Sequence, residues 1–208
     1  MLTRRQFLGA AAAALAVPLP LRHALADDAD LVLRLSAEPG TVPLWKGPQT
    51  QVLRYAATVV RGRPDAAKPS SGAFGPTLEL KRGERVRIHF HNRMTDPSII
   101  HWHGMLVPDD ADGHPRFAVG EGEEYVYEFT VENPAGTYLY HPHPHGMTGA
   151  QVYHGLAGLL IVREPGEQER GLPAIEHELG LAIQDRRVGA DNQFVFQSTM
   201  MDCVFRRR

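Results

Sequence analysis

His101-Trp102-His103-Gly104 and His141-Pro142-His143-Pro144-His145-Gly146 are the two stretches from which the rest of the chain can be read. Side chains alternate faces along a strand, so His101 and His103 share one face while Trp102 points into the opposite layer, and His141 and His143 repeat the arrangement. Two such ledges side by side bring four imidazoles to one small volume. Neutral imidazole suits copper, zinc, iron and nickel far better than magnesium or calcium. Proline at 142 and 144 stiffens the second ledge through its fixed φ, and Gly104 and Gly146 let the backbone turn away after each pair. Counting His114 and His145, six of the eleven histidines fall between positions 101 and 145.

Outward from these ledges the chain reads as all-β. Short runs rich in β-branched and aromatic residues are expected as strands at 31–37, 52–60, 76–80, 85–92, 99–103, 124–131, 137–141, 156–162, 180–184 and 193–197, with Gly, Pro and Asp turns between them. Val86, Ile88 and Phe90 share one face, and Tyr125, Tyr127, Phe129 and Val131 another, the pattern of half-buried antiparallel strands. A Greek-key sandwich follows. Residues 148–154 alone suggest a short helix, 61–73 suggest a surface loop, and no internal repeat is evident. His89 and His91 also stand two apart, but Arg85 and Arg87 share their face. The neighbouring cations argue for surface histidines rather than metal ligands there.

At the start, Thr3-Arg4-Arg5-Gln6-Phe7-Leu8-Gly9, an apolar stretch from Ala10 to Leu21 and the small-residue site Ala24-Leu25-Ala26 form a twin-arginine (Tat) export signal over residues 1–26. The stretch is shorter than the roughly 20 apolar residues a spanning helix needs and is interrupted by Pro18 and Pro20, so no membrane span is expected. The expected location is periplasmic. Removing the leader's Arg4, Arg5 and Arg22 takes the formal charge from −2 to −5. No basic stripe invites nucleic acid. Cys203, the single cysteine, cannot form an internal disulfide.

His101-Trp102-His103-Gly104, Asp112-Gly113, Tyr140 to Gly146, Gln151 and the run Gly155 to Val162 together resemble the N-terminal, plastocyanin-like domain of bacterial multicopper oxidases of the laccase and copper-efflux-oxidase type. The likeness extends from about residue 40 to about residue 202. It implies a cupredoxin-like Greek-key sandwich over 27–202 and a partial trinuclear copper cluster. By resemblance, His101 would ligate the type 2 copper, His103 and His141 one copper of the type 3 pair, and His143 the other, with His145 a neighbour. Asp112 matches an acidic residue that relays protons to oxygen being reduced. The family's partners are O2 and a one-electron donor such as a phenol, cuprous ion or manganous ion.

The family's blue copper takes two His, one Cys and usually a weak axial Met. Cys203 has no histidine within twenty residues and does not match the His-Cys-His bridge that carries electrons to the cluster. In the family that bridge and four further cluster histidines come from a C-terminal cupredoxin domain. Residues 203–208, Cys203-Val204-Phe205-Arg206-Arg207-Arg208, are expected to be a truncation or frameshift tail, and the missing half of the cluster to come from absent domains or another chain. The expected function is therefore half of an O2-reducing copper centre, inactive alone. Two alternatives remain open: a periplasmic copper-binding or buffering module, and a His-ligated zinc hydrolase with an open coordination position. His114, His154 and His177 have no partner spacing and stay unassigned.

Overall fold

The computed structural model describes residues 28–70, 72–171 and 174–197. The export signal expected at 1–26 and the truncation or frameshift tail expected at 203–208 lie outside them.

Alternation of apolar and polar side chains generates the sheets directly. Along β5 (Arg85–Asn92), Val86, Ile88 and Phe90 are buried while Arg85 is exposed and Arg87, His89 and His91 are half-buried. β1 (Leu31–Val42) repeats this with Leu31, Leu33, Leu35 and Ala37, and β7 (Glu124–Thr130) with Tyr127 and Phe129. With β2 (Thr50–Arg61) these strands form one sheet in the order β2-β1-β5-β7. The second sheet runs β3-β4-β9-β8-β6, from β3 (Ala67–Lys68), β4 (Thr77–Lys81), β9 (Gly158–Arg163), β8 (Gly136–Pro142) and β6 (Ile100–His103). The two inner faces meet in a core that includes Leu33, Ile88, Phe90 and Tyr127 from the first sheet and Leu80, Trp102, Tyr140 and Leu160 from the second.

Trp102 is fully buried and contacts Tyr127 edge-on at 5.2 Å between ring centroids, with Phe129 and Tyr140 each at 5.9 Å. Rings at these separations add to the area they bury. The Trp102 anchor fixes which face of β6 turns inward, and so turns His101 and His103 outward.

Eight of the ten expected strands are present, and the antiparallel reading holds for β5 with β7, where Phe90 faces Tyr125 and Ile88 faces Tyr127. Two pairs, β1 with β5 and β4 with β9, run parallel instead. The expected loop at 61–73 contains a 3-10 turn, Pro64–Ala66, whose Ala66 is buried, and the short edge strand β3. The short helix expected at 148–154 is α1 (Thr148–Tyr153).

The strands expected at 180–184 and 193–197 are not formed. Leu179, Leu181 and Ile183 alternate as a strand would, yet all three are exposed. Alternation alone cannot hold a strand without a partner to take its hydrogen bonds. The later segment makes one isolated bridge, Val188 to Phe194, and packs on α1: Phe196 lies 5.2 Å from the Tyr153 ring, and the Tyr153 hydroxyl donates to the Val195 carbonyl at 2.9 Å.

Candidate metal centre

β6 and β8 are antiparallel neighbours in a register that sets His101 opposite His141 and Trp102 opposite Tyr140. The two histidine ledges are therefore adjacent rungs of one sheet, aimed away from the core. His101 lies 5.4 Å from His141, 5.4 Å from His143 and 5.7 Å from His103, measured between ring centroids. His103 and His141 are 5.4 Å apart, and His141 and His143 6.2 Å. One ring nitrogen from each of His101, His103 and His141 falls within 4.8 Å of the others. All four imidazoles singled out in the sequence thus surround one small volume. His145 is exposed in the turn that follows, outside this group.

Hydrogen bonds decide which nitrogen each ring presents. Nδ1 of His101 meets the Asp112 carbonyl at 2.7 Å, and since a carbonyl only accepts, that nitrogen carries the proton and Nε2 keeps its lone pair. Nδ1 of His141 donates in the same way to the Pro142 carbonyl at 2.9 Å. Such contacts orient ligand imidazoles and fix their tautomers. His141 Nε2 then faces Nδ1 of His103 at 3.2 Å. His103 Nδ1 therefore carries the proton of that contact. Nitrogens bound to one ion at about 2.0–2.1 Å sit roughly 2.9–3.4 Å apart, so an ion that displaces this proton finds the two rings at ligand spacing.

His143 is anchored by its backbone N–H, which donates to the Ile99 carbonyl at 2.8 Å, but its ring Nδ1 is buried without a hydrogen-bond partner. An unsatisfied buried polar atom costs about 1–3 kcal/mol. Burial is the largest influence on His141 and lowers its pKa; the contact to Pro142 opposes this, and the three neighbouring imidazoles lower it further. A neutral ring with a free lone pair is the form that binds metal. The donor set, a buried orphan nitrogen and a pair at ligand spacing fit a soft-to-borderline transition ion.

Asp112 places both its groups on His101: the carbonyl at 2.7 Å and a carboxylate oxygen at 3.3 Å, with the carboxylate half-exposed. This arrangement depends on Gly113, whose φ is +80° and whose Cα lies against the Ile100 carbonyl so closely that a Cβ would overlap it. Gly104 and Gly146 also take positive φ, +83° and +72°.

Further residues support the site through contacts that were not evident from the sequence. Asn133 ties down the turn after His103, accepting from the Leu106 N–H at 2.7 Å and donating to the Gly104 carbonyl at 2.9 Å. The Tyr127 hydroxyl accepts from the Ile100 N–H at 2.7 Å, and burial raises its pKa well above the usual tyrosine value. Gln151, buried on α1, accepts from the Ser98 hydroxyl and donates to the Pro97 carbonyl, both at 2.9 Å. None of these contacts can be read until the partner, distant in sequence, is known.

Residues 68–167 match the family model described as multicopper oxidase. This is a multicopper-oxidase-family domain. The chain is 32% identical to multicopper oxidase mco of Staphylococcus aureus over 152 residues, covering 73% of this chain and 31% of that protein. With the laccase of Bacillus subtilis it shares 28% identity over 159 residues, 62% of this chain and 31% of the relative. The crystal structure of the McoA multicopper oxidase from Aquifex aeolicus superimposes with a TM-score of 0.67 at 34% identity, over 81% of this chain and 35% of that one. The expected cupredoxin-like sandwich is therefore the fold. The chain spans about a third of the length of these relatives. No helix among the described residues is long and apolar enough to cross a membrane.

Proposed function

We propose that this chain binds copper through His101, His103, His141 and His143 and supplies half of a trinuclear type 2/type 3 cluster for the reduction of O2 to water. The observation that carries the reading is the approach of His103 Nδ1 to His141 Nε2 at 3.2 Å, which suits these two rings to a shared ion of the type 3 pair. His101, oriented by Asp112 through Nδ1, would present Nε2 to the type 2 ion, and His143 would serve the second type 3 ion. Bound copper would supply the one-electron steps that oxygen reduction needs.

The chain's own contribution is to hold these nitrogens neutral and aimed, and to deliver protons. Asp112 is suited to the second task, because its half-exposed carboxylate reaches from water to His101. Electron entry needs a cysteine-ligated blue copper, and Cys203 has no histidine near it in sequence. That site and the remaining cluster ligands are therefore assigned to other domains or another chain, with O2 and a one-electron donor as substrates of the assembled enzyme. The twin-arginine motif at Arg4-Arg5 supports action in the periplasm after export.

A copper titration of the full chain followed by electron paramagnetic resonance tests the assignment. A type 2 signal lost in His101→Ala, together with a lower copper stoichiometry in His103→Ala and His141→Ala, supports it; copper binding unaffected by all three removes it. Sustained oxygen uptake with a phenol or cuprous ion by this chain alone would contradict the need for an outside electron entry site. The same four imidazoles would serve a copper-buffering module, which predicts copper binding with no gain in oxidase activity when candidate partner chains are added. Against a zinc hydrolase stands the carboxylate inventory: Asp112 is the acid that contacts the ring cluster among the described residues, and it is engaged with His101.

A further inference from the structure

On the outer face of the other sheet, across the thickness of the sandwich from the four-imidazole cluster, His89 and His91 converge on Glu124. His89 Nδ1 lies 2.8 Å from one carboxylate oxygen and His91 Nε2 lies 2.7 Å from the other. The geometry follows from register, since His91 is directly opposite Glu124 on β7 and His89 is its diagonal neighbour. All three side chains are about one-third exposed, so they are reachable from water and still guided by the sheet.

The sequence argues against a metal here because Arg85 and Arg87 share the face. In the structure both charges are engaged by carboxylates. Arg87 pairs with Glu128 at 2.5 Å, and Arg85 with Asp28 at 2.5 Å and Asp30 at 3.5 Å. Arg34, in register with His89 on β1, is exposed and free to extend into solvent. Ser36, in register with His91, is uncharged. What remains facing the gap is two imidazoles and one carboxylate, a donor set that zinc and cupric ions accept with water completing the shell.

We propose that His89, His91 and Glu124 form a second divalent-metal site, for zinc or cupric ion, independent of the β6–β8 cluster. Because the two rings meet different oxygens of Glu124, an ion would bind once the rings turn to a shared position, each giving one nitrogen and Glu124 an oxygen, with no change in the backbone. The half-exposed rings have the rotational freedom to close on it.

Zinc alone is the probe. Calorimetric titration of the full chain is expected to show one more zinc equivalent than His89→Gln/His91→Gln, with the far-ultraviolet circular dichroism of the variant unchanged. Glu124→Gln, a milder change, is expected to weaken that equivalent by about tenfold or more. The reciprocal variant His101→Gln/His103→Gln is expected to keep it, which separates this site from the cluster. Identical zinc stoichiometry and affinity in the parent, the double variant and Glu124→Gln would overturn the proposal, as would loss of all zinc binding in the reciprocal variant.

Discussion

Removing the His141 imidazole takes away one member of the closest nitrogen pair, whereas altering Asp112 touches only the support of His101. His141→Ala is therefore expected to weaken copper binding by more than about 100-fold, beyond the 10–100-fold usual for partners outside the ligand set. Asp112→Asn is expected to weaken it by less than about tenfold. The backbone carbonyl at 2.7 Å still orients the ring, and the carboxylate at 3.3 Å is the longer contact. Competitive chelator titration of both variants checks the ranking; equal losses would mean that the carboxylate, rather than the carbonyl, sets the ring. The lowered pKa of His141 carries a second expectation for the metal-free chain. Its folded value lies below the ordinary 6.5, so the unfolded state takes up the proton first. Its contribution to stability is complete above about pH 6.5 and is lost as pH falls through the folded value. Urea unfolding midpoints at several pH values should drop across that window, and His141→Gln should flatten the drop.

Among the elements, the hairpin-like pairing of β6 with β8 is the one on which the centre depends. A one-residue slip would send His101 and His103 inward and Trp102 out. Burial of Trp102 against Tyr127, Phe129 and Tyr140 opposes that slip, and Trp102→Ala is expected to cost about 3–5 kcal/mol. Gly113→Ala should cost at least about 2 kcal/mol, combining a disfavoured positive φ with overlap on the Ile100 carbonyl. Thermal unfolding measures both. The two differ in a second readout: Gly113→Ala displaces the Asp112 carbonyl from His101 and should also weaken copper binding, a loss that a purely global destabilisation would not produce well below the unfolding temperature. The strand pattern at 179–184 shows what periodicity cannot supply. Leu179, Leu181 and Ile183 alternate correctly, but they lie beside β8 and β9, strands already paired on both edges.

For the molecule as a whole, the exposed apolar side chains are unevenly placed. A hollow runs from His103 and His141 past Leu139 and Leu159 to Leu181 and Ile183. Leu139, Leu181 and Ile183 are among its exposed members. Contiguous exposed apolar surface favours association. Light scattering of the isolated chain is expected to show concentration-dependent self-association that Leu181→Asp/Ile183→Asp reduces; a monomer at all concentrations would show that this surface does not drive association.

Alternating hydrophobicity and the two His-x-His repeats were enough to specify an all-β sandwich, the inward place of Trp102 and four outward imidazoles, because strand periodicity is a local property of the chain. The helix at α1 was legible for the same reason. Contacts between distant residues were not: the parallel pairing of β1 with β5, the Asn133 and Gln151 clamps, the Asp112 carbonyl on His101, and the neutralisation of Arg85 and Arg87 beside His89 and His91. Each of these depends on which strands become neighbours and in what register, and that is decided only when both faces of the sandwich compete to bury their apolar side chains in one core.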